Sequence, residues 1–167
     1  MNRDRDPAGR PRNSRPRDAL GRPLRHGTAG EPVVGDGPGL PPSAALAEAQ
    51  RLIDTGRPFH AHEVLEAAWK AAPAPERDLW QGLAQIAVGL THARRGNAKG
   101  AVALLRRGAD RIRPSGSAAA ATAAVAAARY GLDVARAVTE AEILAERIER
   151  AGLAGLPPAD LAPRLLR

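Results

Sequence analysis

Two segments hold most of the side chains that could do chemistry inside this protein. In FHAHEVLEAAW (residues 59–69), His62, Glu66 and Trp69 recur at i, i+4 and i+7, one stripe of a helix, with His60 and Glu63 to its sides. In LWQGLAQIAVGLTHA (79–93), Gln81, Gln85 and His92 share a stripe about 40° wide, nearly opposite an apolar seam of Leu79, Leu83, Ile86 and Leu90. A 15-residue run without a charge reads as a buried central helix, and its polar stripe is then buried too. Unpaired amides and imidazoles cost a few kcal/mol in an apolar interior, about 2 or more, so these groups need partners. Gly82 and Gly89 flank the stripe, and close approach of a backbone or a ligand would explain them.

Packed helices lie about 8–10 Å apart, so His62 and Glu66 could reach Gln85 and His92 directly, or across one ion or water. Two imidazoles, a carboxylate and an amide could ligate a divalent metal, with His62, Glu66 and His92 as the candidate ligands. They could also form a general acid/base pair, or only close a hydrogen-bond network that fixes helix register. The zinc-peptidase pattern fails, because His62-Glu63-x-x-Glu66 ends in Glu rather than His. A dinuclear carboxylate site is disfavoured, since Gln81 and Gln85 stand where carboxylates would be needed. Arg95 and Asn97, at a helix end and the next helix start, are a candidate anion site; capping is their plainer role.

The elements that must position these groups are all helical. Ser43 is expected to cap a helix carrying Leu46, Ala49 and Ile53 that ends at Gly56. Pro58 suits the first turn of a second helix, stopped by Pro73, and Pro75 opens the third, with Glu76 and Asp78 in its first turn. Asn97 can cap a fourth, broken at Pro114, Ser115 and Gly116. Residues 117–129 hold 9 Ala in 13, helical by propensity but with little to pack. Asp133 can cap a last helix with Val134, Ala137, Val138, Ala141, Leu144 and Ile148 on one face. No alternating strand pattern occurs, so the fold class is all-α: a compact bundle of about five helices, with the domain at 43–151 and a C-terminal tail at 152–167.

The remaining composition narrows the function classes. Among 167 residues there is no cysteine, which excludes a disulfide scaffold, Cys-ligated zinc and thiol catalysis. Residues 1–42 hold 8 Pro and 7 Gly, and are expected to form a disordered Pro/Gly/Arg-rich tail or to reflect a start called too far upstream. That tail has 8 Arg against 5 acids, so the net charge of +7 divides into +3 there and +4 over the rest, and a basic surface for nucleic acid is not singled out. The tail also lacks aromatic residues for stacking, and the run Arg106, Arg107, Arg111 and Arg113 reads as a solvated face. No apolar region follows the first arginines and no run reaches about 20 apolar residues, so a cytoplasmic protein without a membrane anchor is expected.

FHAHEVLEAAW, the pair Glu76-Arg77 and the run from Leu79 to Gly108 resemble the domain-of-unknown-function family 309 of bacteria, archaea and plants. The combination HEVLE-x-x-W, ER-x-L-x-QGL-x-Q and H-x-x-RGN covers roughly residues 45–113, and YGLDVARAV from Tyr130 is similar to the family's closing helix, at 133–151 here. The resemblance implies a small helical bundle with no established activity. Its signature falls on His62, Glu63, Glu66, Trp69, Gln81, Gly82, Gln85, His92, Arg95, Gly96 and Asn97. His60 and the Ala-rich insertion before Tyr130 depart from the pattern.

The sequence thus yields an uncharacterised helical domain whose enzymatic status is open. The cluster of His62, Glu63, Glu66, Gln81, Gln85 and His92 is either a structural network or a small-ligand or metal site. A divalent ion is the one cofactor these residue types suggest, and nothing in the pattern requires it. The alternative is a non-enzymatic interaction or scaffold module, whose partners could be a small ligand or a second copy. Nucleic-acid binding through the tail is the weaker option.

Overall fold

A computed structural model describes residues 15–30 and 39–166, and the expected tail at 1–42 therefore lies partly outside the described residues. Among the described residues, six α-helices form the bundle: α1 (Pro42–Asp54), α2 (Pro58–Ala71), α3 (Arg77–Arg94), α4 (Ala98–Ile112), α5 (Ala118–Arg129) and α6 (Val134–Ala151). Short 3-10 turns lie at Ala74–Glu76, Leu153–Gly155 and Pro158–Leu161. The helix beyond the expected five is α5, the alanine-rich segment. Ser117 caps it by accepting from the Ala120 N–H at 3.1 Å, and alanine's propensity does the rest.

Helix starts follow the expected chemistry with two corrections. Pro75 does not open α3: it lies in the 3-10 turn Ala74–Glu76, so α3 begins at Arg77 with Glu76 at its N-cap position and Asp78 alone in its first turn. Ser43 does not cap α1, which begins at Pro42 with Pro41 before it and no side-chain cap. Proline's fixed φ suits the first helical position and its missing N–H needs no partner there, so the helix starts two residues earlier and takes Ser43 into its first turn. Asn97 and Asp133 do cap α4 and α6, accepting from the Gly100 and Arg136 N–H groups at 2.9 and 3.0 Å.

Helix α3 is the hub, packed along α4 on one side and α2 on the other, while α1 backs α2 and α6 backs α4. Its seam of Leu79, Leu83, Ile86 and Leu90 is buried, facing a core that includes Leu52, Leu65, Leu105, Leu144 and Ile148. Burial of each such side chain stabilises by roughly 1.5–3 kcal/mol. The α3–α4 crossing is close. A Cβ on Gly82 would stand 2.9 Å from the Gly108 carbonyl oxygen, and one on Gly89 would stand 3.1 Å from the Leu105 nitrogen. These interior glycines therefore serve the approach of a second backbone.

Packing does not stop at residue 151. Leu156, Leu161 and Leu165 are buried, and the backbone at 163–165 runs past α1. Gln50 holds it there: its Nε2 donates to the Pro163 carbonyl at 3.2 Å and to Asp54 Oδ1 at 2.8 Å, and its Oε1 accepts the Leu165 N–H at 2.7 Å. A backbone bond from Asp133 N–H to the Leu165 carbonyl, 3.1 Å, fastens the other side.

Candidate functional site

On α2 the expected row forms at a spacing of four residues. Glu66 Oε2 lies 3.7 Å from His62 Nε2, and Glu66 Oε1 lies 2.9 Å from Lys70 Nζ. The first distance is too long for a hydrogen bond, so His62 and Glu66 interact electrostatically while Lys70 takes the direct contact. The His62 side chain keeps 26% of its exposure. Burial pulls its pKa below the ordinary 6.5, the Glu66 carboxylate opposes that, and the Lys70 ammonium adds to it. Glu63 is half-buried beside it, and His60 is buried, with its ring edge-on to Phe59 at 5.7 Å.

Helix α3 carries the second group. Asn97 Nδ2 lies 2.9 Å from His92 Nδ1 while Asn97 Oδ1 is taken by the Gly100 N–H, so His92 is tied to the α3–α4 junction. Gln81 and Gln85 are half-buried, and Gln85 Oε1 is a buried acceptor without a hydrogen-bond partner among the described residues. No hydrogen bond among the described residues joins His62 or Glu66 to Gln81, Gln85 or His92. The two histidines that the sequence suggested as co-ligands thus have separate partners, Glu66 for one and Asn97 for the other. Among the described residues, no three His, Asp or Glu side chains come together as a metal-holding group.

The expected anion pair is engaged elsewhere. Asn97 is committed to its cap, and Arg95 donates through Nε, at 2.9 Å, and through Nη2 to the Leu20 carbonyl. Of the basic run on α4, Arg106 pairs with Glu149 on α6, Arg111 with Asp78 on α3, and Arg113 with Glu142 on α6. Among the described residues, no helix is long and apolar enough to cross a membrane.

Two buried polar groups escaped the sequence reading. For Glu76 the sequence suggests a first-turn carboxylate and no buried partners; it is 8% exposed and accepts from Trp80 Nε1 at 3.2 Å and from the Tyr130 hydroxyl at 3.2 Å. Burial and the Glu76 carboxylate both push the Tyr130 phenol above its usual pKa. The signal available was the spacing of four between Glu76 and Trp80, which sets the indole over the carboxylate on one helical face. Gln50 is the other; besides Asp54 on its own helix, its partners Pro163 and Leu165 lie more than a hundred residues away.

No curated protein and no solved structure matches the chain. Residues 46–104, running from α1 into α4 and carrying every candidate residue above from His62 to Asn97, match the family model of a domain of unknown function, DUF309.

Proposed function

We propose that this chain is a non-enzymatic helical scaffold or interaction module, in which His92 and Asn97 fix how α3 meets α4 while His62, Glu66 and Lys70 stabilise α2. What carries the reading is the filling of the space at Gly82 and Gly89: the α4 backbone and the Leu105 and Ile112 side chains sit where a ligand would have to enter. The partners of His62 and His92 support it, because each imidazole serves its own helix or helix junction. Pairing of Arg106, Arg111 and Arg113 with carboxylates removes most of the free positive charge that a nucleic-acid face on α4 would need.

The buried, unpartnered Gln85 Oε1 favours a second reading, a small donor-bearing ligand at that atom. Metal analysis of the full chain without a His tag, with denaturant titration of His62→Ala and His92→Ala, separates the two. The scaffold reading expects both variants to lose stability with no change in bound metal or ligand. A variant as stable as the parent that has lost a bound metal or small molecule overturns it.

A further inference from the structure

Ahead of the bundle, residues 16–24 close into a loop with its own hydrogen bonds. Leu24 N–H donates to the Pro16 carbonyl at 2.7 Å, Gly21 N–H to the Asp18 carbonyl at 2.8 Å, and Asp18 Oδ1 accepts the Leu20 and Arg22 N–H groups at 2.9 and 2.8 Å. An isolated bridge between Arg17 and Pro23 closes the neck. The tip, Leu20-Gly21, is pressed on the bundle. Gly21 has φ +72° and lies so close on the Phe59 ring that a Cβ there would overlap the ring atoms, while the Arg17 guanidinium carbon sits 5.4 Å from the ring centroid. The Leu20 carbonyl receives the Arg95 guanidinium from the end of α3.

The loop thus bridges the start of α2 and the end of α3, and the Phe59 ring under its tip stands 6.3 Å from the His62 ring. Its own burial is partial: within 16–24 Gly21 is buried, Arg22 and Pro23 are exposed, and the others are half-buried. The glycine against the ring, the guanidinium over it and the carbonyl latch all join the strap to the ends of α2 and α3 from outside, so the strap can lift without breaking a helix.

We propose that residues 16–24 are a releasable strap, latched by Arg95 and seated on Phe59, that covers the His62 end of the α2 row. The Arg95 guanidinium is then the strap's latch, and a ligand or partner approaching Phe59 and His62 must displace the loop. This does not depend on what, if anything, His62 binds.

Gly21→Val in the full chain is the direct test, since a branched side chain can neither hold φ +72° nor fit against Phe59. Gly27→Val is its control: Gly27 has φ +83° in the same segment, and its Cβ would meet nothing within 4 Å. Trypsin cleavage after Arg17 is timed, and diethyl pyrocarbonate modification of His62 is mapped by mass spectrometry apart from His26, His60 and His92. Gly21→Val is expected to speed both by about tenfold over the parent, with Gly27→Val near the parent. A synthetic peptide of residues 15–25, added to Gly21→Val, is expected to slow His62 modification again. Equal cleavage in parent and Gly21→Val overturns the strap. Faster cleavage with unchanged His62 modification overturns its covering role, and so does a peptide that fails to protect.

Discussion

Asn97 joins His92 to the first turn of α4 through both ends of one amide. Its oxygen accepts the Gly100 N–H at 2.9 Å, so its nitrogen must be the atom facing His92 Nδ1, also at 2.9 Å. An amide nitrogen can only donate, so His92 Nδ1 is the acceptor and the neutral ring carries its proton on Nε2. Gly100 completes the joint, because a Cβ there would stand 2.6 Å from Asn97 Nδ2 and 3.0 Å from His92 Nδ1.

Replacing Asn97 by Ala removes both bonds and is expected to cost about 1 kcal/mol, read as a lower urea midpoint at unchanged slope. Asn97→Asp keeps an oxygen for the cap and loses the donor to His92. Nitrogen NMR of the imidazole should report the Nε2–H tautomer in the parent and lose that preference in Asn97→Asp. A parent ring protonated on Nδ1 in its neutral form would contradict the arrangement.

His62 sets a pH dependence of the opposite sign to that of a salt-bridged histidine. Its folded pKa is depressed, mainly by burial, so just below pH 6.5 the unfolded chain binds more protons at this site than the folded one. Its contribution is complete above about pH 6.5 and is lost as pH falls from there through the folded pKa. Denaturant titrations across that window should show parent stability falling with pH more steeply than His62→Gln. Parallel curves would show that His62 is no more buried in the folded chain than in the unfolded one.

The α3–α4 crossing predicts which glycines tolerate a methyl group. At Gly108 a Cβ would meet the Gly82 carbonyl oxygen at 2.6 Å and the Ile86 nitrogen at 3.0 Å, both backbone atoms that cannot step aside. Gly108→Ala gains up to about 1 kcal/mol of helix propensity and is still expected to destabilise by about 1–3 kcal/mol, because the helices must part. Gly116→Ala meets nothing within 4 Å and should be neutral or slightly stabilising. Thermal melts of the two variants decide the matter.

The sequence could be read where the controlling interaction is local. Pro58, Asn97, Asp133 and the stripe of α3 all act within a few residues of themselves, and the helices and core seam follow from them. Gly82 and Gly89 were suspect from sequence, but whether a helix or a ligand came close was settled only by α4, whose matching glycine is Gly108. The polar stripe was also visible, whereas its partners were not. Asn97 and Lys70 took the contacts that had been imagined between helices, because neighbours at four or five residues' separation reach first. Furthest from view were Gln50 and Leu165, joined across 115 positions, and the seat of Gly21 on Phe59, since no periodicity encodes which distant backbone an amide or a ring will meet.

Gln50 offers the sharpest test of that long-range link. Its amide satisfies an acceptor at Pro163 and a donor at Leu165 at once, as a neighbouring strand would, and both bonds are buried. Gln50→Leu keeps the bulk of the side chain on α1 and strips away both partners, leaving the Leu165 N–H with none. Each buried group so stranded costs about 1–3 kcal/mol. The segment carrying Leu161 and Leu165 is expected to lift before the bundle opens, so hydrogen exchange at the Leu165 amide should accelerate more than at Leu83 in the α3 core. Equal acceleration at both sites would mean that the C-terminal segment and the helices unfold as one unit, with Gln50 stabilising the whole rather than fastening its end.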